Sequence, residues 1–263
     1  MNEIEKYYNK FNEDKRLKTR HGQVEFFITS KYIKKYLKKF ENPKILDIGA
    51  GTGAYSIPLA NKGYDVSAVE LVKHNLRVLE QNGKNVKAFL GNALNLKKFE
   101  DESFDIVLLL GPMYHLFNIQ DKLQALLEAK RVCKNGGYIF VAYVSNDYAI
   151  IKHGFVDGFI NSAIKNGEIT KNFLIKDNIK NLYSYSNIKQ INALNKKAGL
   201  KRKKIIGVDG ATDYIRPTLN KMDEKTFEIF LSYQSSICER KDLLGASSHI
   251  LDILQKNIYW QNM

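Results

Sequence analysis

The hydrophobic positions fall into three regimes along the chain. Up to residue 43, Ile33, Tyr36, Leu37 and Phe40 recur at helical spacing with lysines between them. Asn42-Pro43 ends that helix, because proline disfavours helical backbone in the residue before it. From residue 44 the pattern changes to short apolar runs, at 44–48, 65–69, 86–90, 104–110 and 138–144. The run over 104–110 is almost unbroken, as expected of a strand covered on both faces. Between the runs, Ile57, Leu59 and Ala60, then Val72, Leu76 and Leu79, then Leu123, Leu126, Leu127 and Cys133 keep a helical period. Gly63 and Asn135-Gly136-Gly137 mark helix ends. Five strand–helix repeats of this kind predict a doubly wound α/β fold with a parallel sheet.

After Ser145 the rhythm breaks. Residues 146–186 are rich in aromatics (Tyr148, Phe155, Phe159, Phe173, Tyr183, Tyr185) and lack a clean period. The segment is too long for a plain connection, which predicts a lid or substrate cap after the fifth strand. Alternation resumes with a helix over 188–198, Gly199, a strand over 203–208, a helix over 222–240 and a final strand over 247–254. The expected organisation is an N-terminal helical cap, 1–43, and a main domain, 44–263, carrying the insert. Tyr7, Tyr8, Arg16, Arg20 and His21 form a polar, aromatic lead-in with two readings: a flap over a neighbouring pocket, or the start of a surface helix.

Composition narrows the class. With 44% hydrophobic and 26% charged residues over 263 positions, the chain reads as a soluble globular protein. No apolar run approaches bilayer length. Met1-Asn2-Glu3-Ile4-Glu5 lacks the regions of a signal peptide. Cys133 and Cys238 are too few for a disulfide framework or a cysteine zinc site. A cytoplasmic location is expected. The net charge of +13 raises nucleic acid as a partner, but the excess is spread over both halves, and lysine outnumbers arginine, the better bidentate phosphate ligand. A solvated lysine-rich surface is favoured and nucleic acid stays open; oligomeric state is not legible.

The chemistry concentrates at the end of the first strand. Asp47-Ile-Gly-Ala-Gly-Thr-Gly53 is a glycine-rich turn, and Gly49, Gly51 and Ala54 satisfy the dinucleotide pattern G-x-G-x-x-G/A. The same residues satisfy Asp-x-Gly-x-Gly-x-Gly, the pattern of enzymes that bind S-adenosylmethionine. Glu70, about 20 residues on, closes the second strand and would accept from both hydroxyls of an adenosine ribose with either ligand. Asp47 discriminates better: beneath the turn, its charge favours an ammonium and a sulfonium and repels a pyrophosphate. No hydride-transfer constellation accompanies the turn.

Together with Val69-Glu70, Gly91-Asn92-Ala93, the strand beginning Phe104-Asp105 and Lys134-Asn-Gly-Gly137, the turn resembles class I S-adenosylmethionine-dependent methyltransferases of the small-molecule type. The likeness spans roughly 43–144 and is weaker beyond. It implies a Rossmann-like, seven-stranded sheet whose last strand, 247–254, runs antiparallel. It implies that Gly49, Gly51 and Gly53 line the methionine half, that Glu70 holds the ribose, and that Asn92 and Ala93 lie at the adenine. The family usually has Asp where this chain has Asn92, and an amide can still accept from the adenine amino group. Ala50, Thr52, Tyr55, Leu71, Asn75, Leu110, Gly111 and Arg20 complete the expected cofactor set.

Methyl transfer from a sulfonium needs alignment above all, and a base only where the acceptor arrives protonated. Gly111-Pro112-Met113-Tyr114-His115-Leu116 follows the fourth strand at the sheet's carboxyl edge, which makes Tyr114 and His115 the expected catalytic pair. His115 titrates near neutral pH when unperturbed; Tyr114 would orient a polar group. This segment lacks the Asp/Asn-Pro-Pro-aromatic motif of base-amino methyltransferases, and neither cysteine follows a proline. The histidines at 21, 74, 115, 153 and 249 show no metal spacing, so no metal is expected. Cys238-Glu239-Arg240 and Ser247-Ser248-His249 are polar segments that could reach the site, but sequence does not place them. The expected activity is methyl transfer to a small-molecule acceptor by in-line displacement. An RNA or protein methyltransferase, a non-catalytic S-adenosylmethionine binder and an NAD-dependent oxidoreductase are the alternatives.

Overall fold

A computed structural model describes residues 19–178 and 182–257. Five parallel strands, β1 (Lys44–Ile48), β2 (Asp65–Glu70), β3 (Lys87–Leu90), β4 (Phe104–Leu109) and β5 (Cys133–Ser145), lead into β6 (Tyr185–Ser186), β7 (Lys201–Gly207) and β8 (His249–Gln255). The sheet order is β3-β2-β1-β4-β5-β8-β7, with β8 antiparallel to both neighbours. This is the expected Rossmann-like sheet of seven strands. The two-residue β6 adds an eighth, pairing beside Val144 and Ser145 at the end of β5.

The near-continuous apolar runs arise because both faces are covered. Along β4, Ile106 and Leu108 join one core with Ile45, Tyr138 and Phe140, while Val107 and Leu109 join the other with Leu46, Ile48, Ile139 and Val141. The first core is closed by α1 (Arg20–Leu37), capped by the Thr19 side chain, which accepts from the Gly22 amide. Val24, Ile28, Tyr32, Ile33 and Tyr36 of α1 are buried against the sheet, so this helix is a structural layer rather than a surface helix. Tyr7, Tyr8 and Arg16 lie outside the described residues.

Helices α2 (Ser56–Ala60), α3 (Lys73–Asn82) and α4 (Ile119–Val132) follow β1, β2 and β4. The sequence reading ends α4 at Asn135-Gly136-Gly137, but the helix stops at Val132 and these residues lie in β5. They form an irregularity, since the pairing jumps from Phe104–Cys133 to Ile106–Tyr138. A Cβ on Gly137 would sit 2.8 Å from Cys133 Sγ and 2.9 Å from the Asp105 carbonyl oxygen, so the glycine permits a close backbone approach.

The insert begins at α5 (Asn146–Ala149), runs through a π-helical turn (Ile150–Val156) and α6 (Ile160–Lys165), and returns to the sheet as β6. Its aromatics divide: Tyr148 is buried, whereas Phe155, Phe159 and Phe173 are exposed. Helix α7 (Ile188–Ala198) has a reciprocal capping box between Asn187 and Gln190 and ends at Gly199 in the left-handed region. Helices α8 (Arg216–Lys221) and α9 (Glu224–Ile237) precede β8. No helix among the described residues is long and apolar enough to cross a membrane.

Candidate active site

The strand order reverses between β1 and β4, and the carboxyl ends of parallel strands open a crevice at that point. A cavity of about 300 Å³ lies there, lined from β1, β2, β5, β8 and α1 and from the loops after β1, β2, β3 and β4.

Its floor is the glycine turn. The Gly49 and Ala50 amides donate to the Val69 carbonyl at 2.8 and 3.1 Å, which locks the turn onto β2. The Gly51 amide donates to Glu70 Oε2 at 2.8 Å, and the Val72 amide to Oε1 at 2.7 Å. Burial raises the Glu70 pKa, partly opposed by these amides and by the Asn75 side chain. Asp47 is also buried, and burial pushes its carboxyl up to about 6; the Ser56 hydroxyl works against this and the Glu70 charge adds to it.

The three glycines of the turn have positive φ, and their surroundings differ. A Cβ on Gly49 would lie 2.7 Å from Pro112 Cδ, where the loop after β4 packs on the turn. A Cβ on Gly51 would meet nothing within 4 Å. A Cβ on Gly53 would lie 2.5 Å from Leu79 Cδ1 and 2.8 Å from Ile57. Gly53 is absent from the cavity lining and serves packing between the turn and α3, which differs from its expected place at the ligand.

Asp47, Gly49, Ala50, Gly51, Thr52, Tyr55, Glu70, Leu71, Asn75, Asn92, Ala93, Leu110 and Gly111 all line the cavity. Tyr55 is held by stacking on Phe26 of α1, with ring centroids 5.3 Å apart. Asn92 Oδ1 accepts from the Leu94 amide at 3.0 Å, an Asx turn that fixes the amide's orientation. Arg20 is elsewhere. Its guanidinium lies over the Phe227 ring, 4.3 Å from the centroid, and pairs with Glu224 at 3.0 Å. It ties α1 to α9, and no cofactor contact follows from that position.

Tyr114 and His115 line the opposite wall, where the 3-10 turn Pro112–Tyr114 meets the end of the insert. The Ser184 amide donates to the Tyr114 carbonyl at 2.8 Å, and His115 Nδ1 lies 3.1 Å from the Leu182 carbonyl oxygen. Both rings contact the Tyr183 ring. Burial drives the His115 pKa down to about 4, with the Leu182 carbonyl only partly opposing it. His115 is therefore neutral at pH 7.

Residues that the sequence reading left unassigned complete the wall: Glu25 and Thr29 from α1, Ala142 from β5, and His249 and Ile250 from β8. His249 Nδ1 is 2.7 Å from Asp209 Oδ2 and 3.8 Å from Glu25 Oε2. Asp209 is fully buried just beyond β7 and takes hydrogen bonds from Ser247 Oγ, Ser248 Oγ and the His249 amide. Burial alone would raise its pKa, but the His249 charge and these donors hold it well below the carboxylate range. Forty residues separate the two partners. Among the described residues, no cluster of His, Cys, Asp and Glu has the arrangement of a metal site.

Comparisons with known proteins agree with that geometry. A family model described as a methyltransferase domain matches residues 46–141, from the middle of β1 through most of β5. Over that stretch, well under half of the chain, the sequence is similar to a methyltransferase domain. Over 103 residues the chain is 36% identical to a demethylmenaquinone methyltransferase of Renibacterium salmoninarum, covering 39% of this chain and 42% of the relative. A ubiquinone biosynthesis O-methyltransferase of Rickettsia prowazekii is 26% identical over 156 residues, 58% of each chain. The chain thus spans 42% and 58% of the length of these two relatives. The crystal structure of an S-adenosylmethionine-dependent methyltransferase from Thermotoga maritima, a possible histamine N-methyltransferase, superposes with a TM-score of 0.58 at 22% identity, covering 97% of this chain and 98% of that one. That likeness in fold extends over the insert and α7–β8.

S-adenosylmethionine is the cofactor that goes with such a domain, and the residues present fit it. The open space over Gly51 admits a ligand against the turn. Glu70 is a buried carboxylate held in place by two amides at the end of β2. Asp47 places a second acidic group at the floor of the same cavity.

Proposed function

We propose that the protein is an S-adenosylmethionine-dependent methyltransferase acting on a small, neutral or cationic acceptor. The observation that carries this reading is the shape and charge of the crevice at the carboxyl ends of the strands. The glycine turn, Asp47 and Glu70 take up one end, and Glu25, Thr29, Tyr114, His115 and His249 surround the other. S-adenosylmethionine, when bound, supplies a methyl group on a positively charged sulfur that is already a good leaving group.

The chain's own residues bind, orient and enclose. Glu70 accepts from the ribose hydroxyls while the Gly51 and Val72 amides fix its carboxylate. Asp47, once ionised, offsets the cofactor's positive charge. Asn92 and Ala93 border the adenine, and the Pro112–Tyr114 turn holds the acceptor in line, where proximity supplies most of the acceleration. The buried carboxylates disfavour an anionic acceptor. The quinone-related relatives, by their names, act on small molecules, and this supports the same substrate class here.

The test is transfer of labelled methyl from S-adenosylmethionine into a cell extract separated into small-molecule, RNA and protein fractions. Label in the small-molecule fraction is expected. Label confined to RNA or protein would replace the proposed acceptor class, and tight cofactor binding with no label anywhere would make the protein a non-catalytic binder.

A further inference from the structure

We propose that a second cavity, inside the insert after β5, binds a neutral hydrocarbon chain of the methyl acceptor while the group to be methylated stands in the crevice. The inference rests on the methyltransferase reading above. It narrows the substrate class to acceptors with a long apolar portion.

The insert cavity has a volume of about 320 Å³. Ile150, Phe159, Ala163, Ile169, Ile175 and Leu182 give it an apolar wall, and Ile169 and Ile175 are brought together by an antiparallel bridge. Packed interiors hold few voids larger than a water molecule, and a space of this size falls in the range of ligand sites. No lysine or arginine lines it among the described residues, although the chain carries a net charge of +13. Two polar side chains of the wall are engaged within the insert. His153 Nδ1 is 3.0 Å from Asp157 Oδ2, and Glu168 Oε1 accepts from the Asn166 amide group at 3.3 Å. An anionic group here would lack a lysine or arginine partner, whereas a hydrocarbon chain gains by leaving water.

Two observations tie this cavity to the reaction. Tyr183 lines it, and the Tyr183 ring centroid is 5.8 Å from that of Tyr114 and 5.5 Å from that of His115, both of which line the crevice. One aromatic layer therefore lies between the two spaces. The chain beside that layer is anchored: the Ser184 amide donates to the Tyr114 carbonyl, Lys122 Nζ of α4 donates to Ser184 Oγ, and Ser184 Oγ donates to Asp177. An acceptor lying across the layer has its reacting group beside Tyr114 and its chain in the insert. The outer edge is apolar as well. Of the thirteen exposed large hydrophobic residues among those described, Ile151, Phe155, Val156, Phe159, Ile164 and Phe173 fall within residues 151–173. Phe159 both lines the cavity and is 60% exposed, which puts this patch at the cavity's mouth. Gathered apolar surface of this kind marks a binding site, where scattered single residues would not.

Calorimetry of the full chain, saturated with S-adenosylhomocysteine, against 1-hexanol, 1-octanol and 1-decanol reads the insert cavity without turnover. Affinity should tighten about two- to fourfold per added methylene, the gain from burying each one. Ala163→Phe puts a ring into the cavity and should weaken 1-decanol by about tenfold or more. Its S-adenosylhomocysteine affinity should stay within about twofold of wild type, because the two sites share no lining residue. Phe159→Ala, at the exposed mouth, spares the fold and should weaken 1-decanol about three- to tenfold. In the labelled-methyl assay, the small-molecule label should partition from the extract into heptane, and Ala163→Phe should lower it. Affinity that ignores chain length, or 1-decanol binding that both variants leave unchanged, overturns the cavity as a chain site. Small-molecule label that stays in the aqueous phase overturns the apolar acceptor while the methyltransferase reading stands. A wild-type chain that does not bind S-adenosylhomocysteine overturns that reading and the acceptor role with it, and the alcohol series on the unliganded chain then decides the cavity by itself.

Discussion

The three glycines of the turn separate into three tasks, and alanine at each should give a different phenotype. At Gly51, φ is +57° and a Cβ meets nothing within 4 Å, so the cost is that of left-handed backbone alone, about 1–2 kcal/mol. For a chain of this size that lowers Tm by about 2–8 °C. The new methyl stands in open cavity against the turn, so ligand binding is lost although the fold remains. At Gly53, φ is +96° and the methyl would press on Leu79 Cδ1 at 2.5 Å and Ile57 at 2.8 Å. Overpacking adds about 1–3 kcal/mol to the backbone cost. Gly49 resembles Gly53 in energy, but its neighbour is the Pro112 ring at 2.7 Å, which has no rotamer to escape to, so the loop carrying Tyr114 must shift. Thermal unfolding with and without S-adenosylhomocysteine reads both effects. Gly51→Ala should melt highest of the three variants and show no ligand-induced rise in Tm. Gly53→Ala should melt lowest or with Gly49→Ala and keep part of its ligand response. A Gly51→Ala protein with the full wild-type ligand shift would refute this division of roles.

Further outcomes follow from the same contacts. Cofactor affinity should tighten about tenfold between pH 5 and pH 7.5, because Asp47 ionises near 6 and the cofactor's cationic groups favour the ionised form; calorimetry on Asp47→Asn should lose that dependence. Folding stability moves the other way: the raised Asp47 pKa adds stability that is full below about 4 and is lost as pH rises through about 6. Arg20→Ala should leave S-adenosylhomocysteine affinity unchanged while lowering Tm, since Arg20 holds Glu224 and the Phe227 face outside the cavity. Asp252→Ala should cost about 3–5 kcal/mol in denaturant unfolding, because the fully buried carboxylate pairs with Arg202 at 2.6 and 2.8 Å and accepts from Asn195 at 2.7 Å.

What the sequence makes legible is what spacing encodes locally. The apolar runs, the glycine turn after β1 and the acidic residue after β2 each lie within one strand–loop–helix unit, and they placed Asp47, Gly49, Gly51 and Glu70 in one crevice. What it hides is what the fold brings together from afar. Glu25 and Thr29 sit in a lysine-rich helix whose buried face is set by packing on the sheet, and nothing in their spacing points to a cavity. Asp209 and His249 meet only because β7 and β8 run antiparallel. Gly53 matches the cofactor motif yet serves Leu79, because a motif records which positions exclude a Cβ and not what lies in its way. Arg20 is expected in the cofactor set, whereas its guanidinium lies over the Phe227 ring and pairs with Glu224.

Calorimetry of the purified chain at pH 7.5 against S-adenosylhomocysteine and, separately, NAD tests the central claim most directly. The account predicts a single saturable site for S-adenosylhomocysteine, weakened by Glu70→Ala, and no binding of NAD. Saturable NAD binding with no heat from S-adenosylhomocysteine would contradict it.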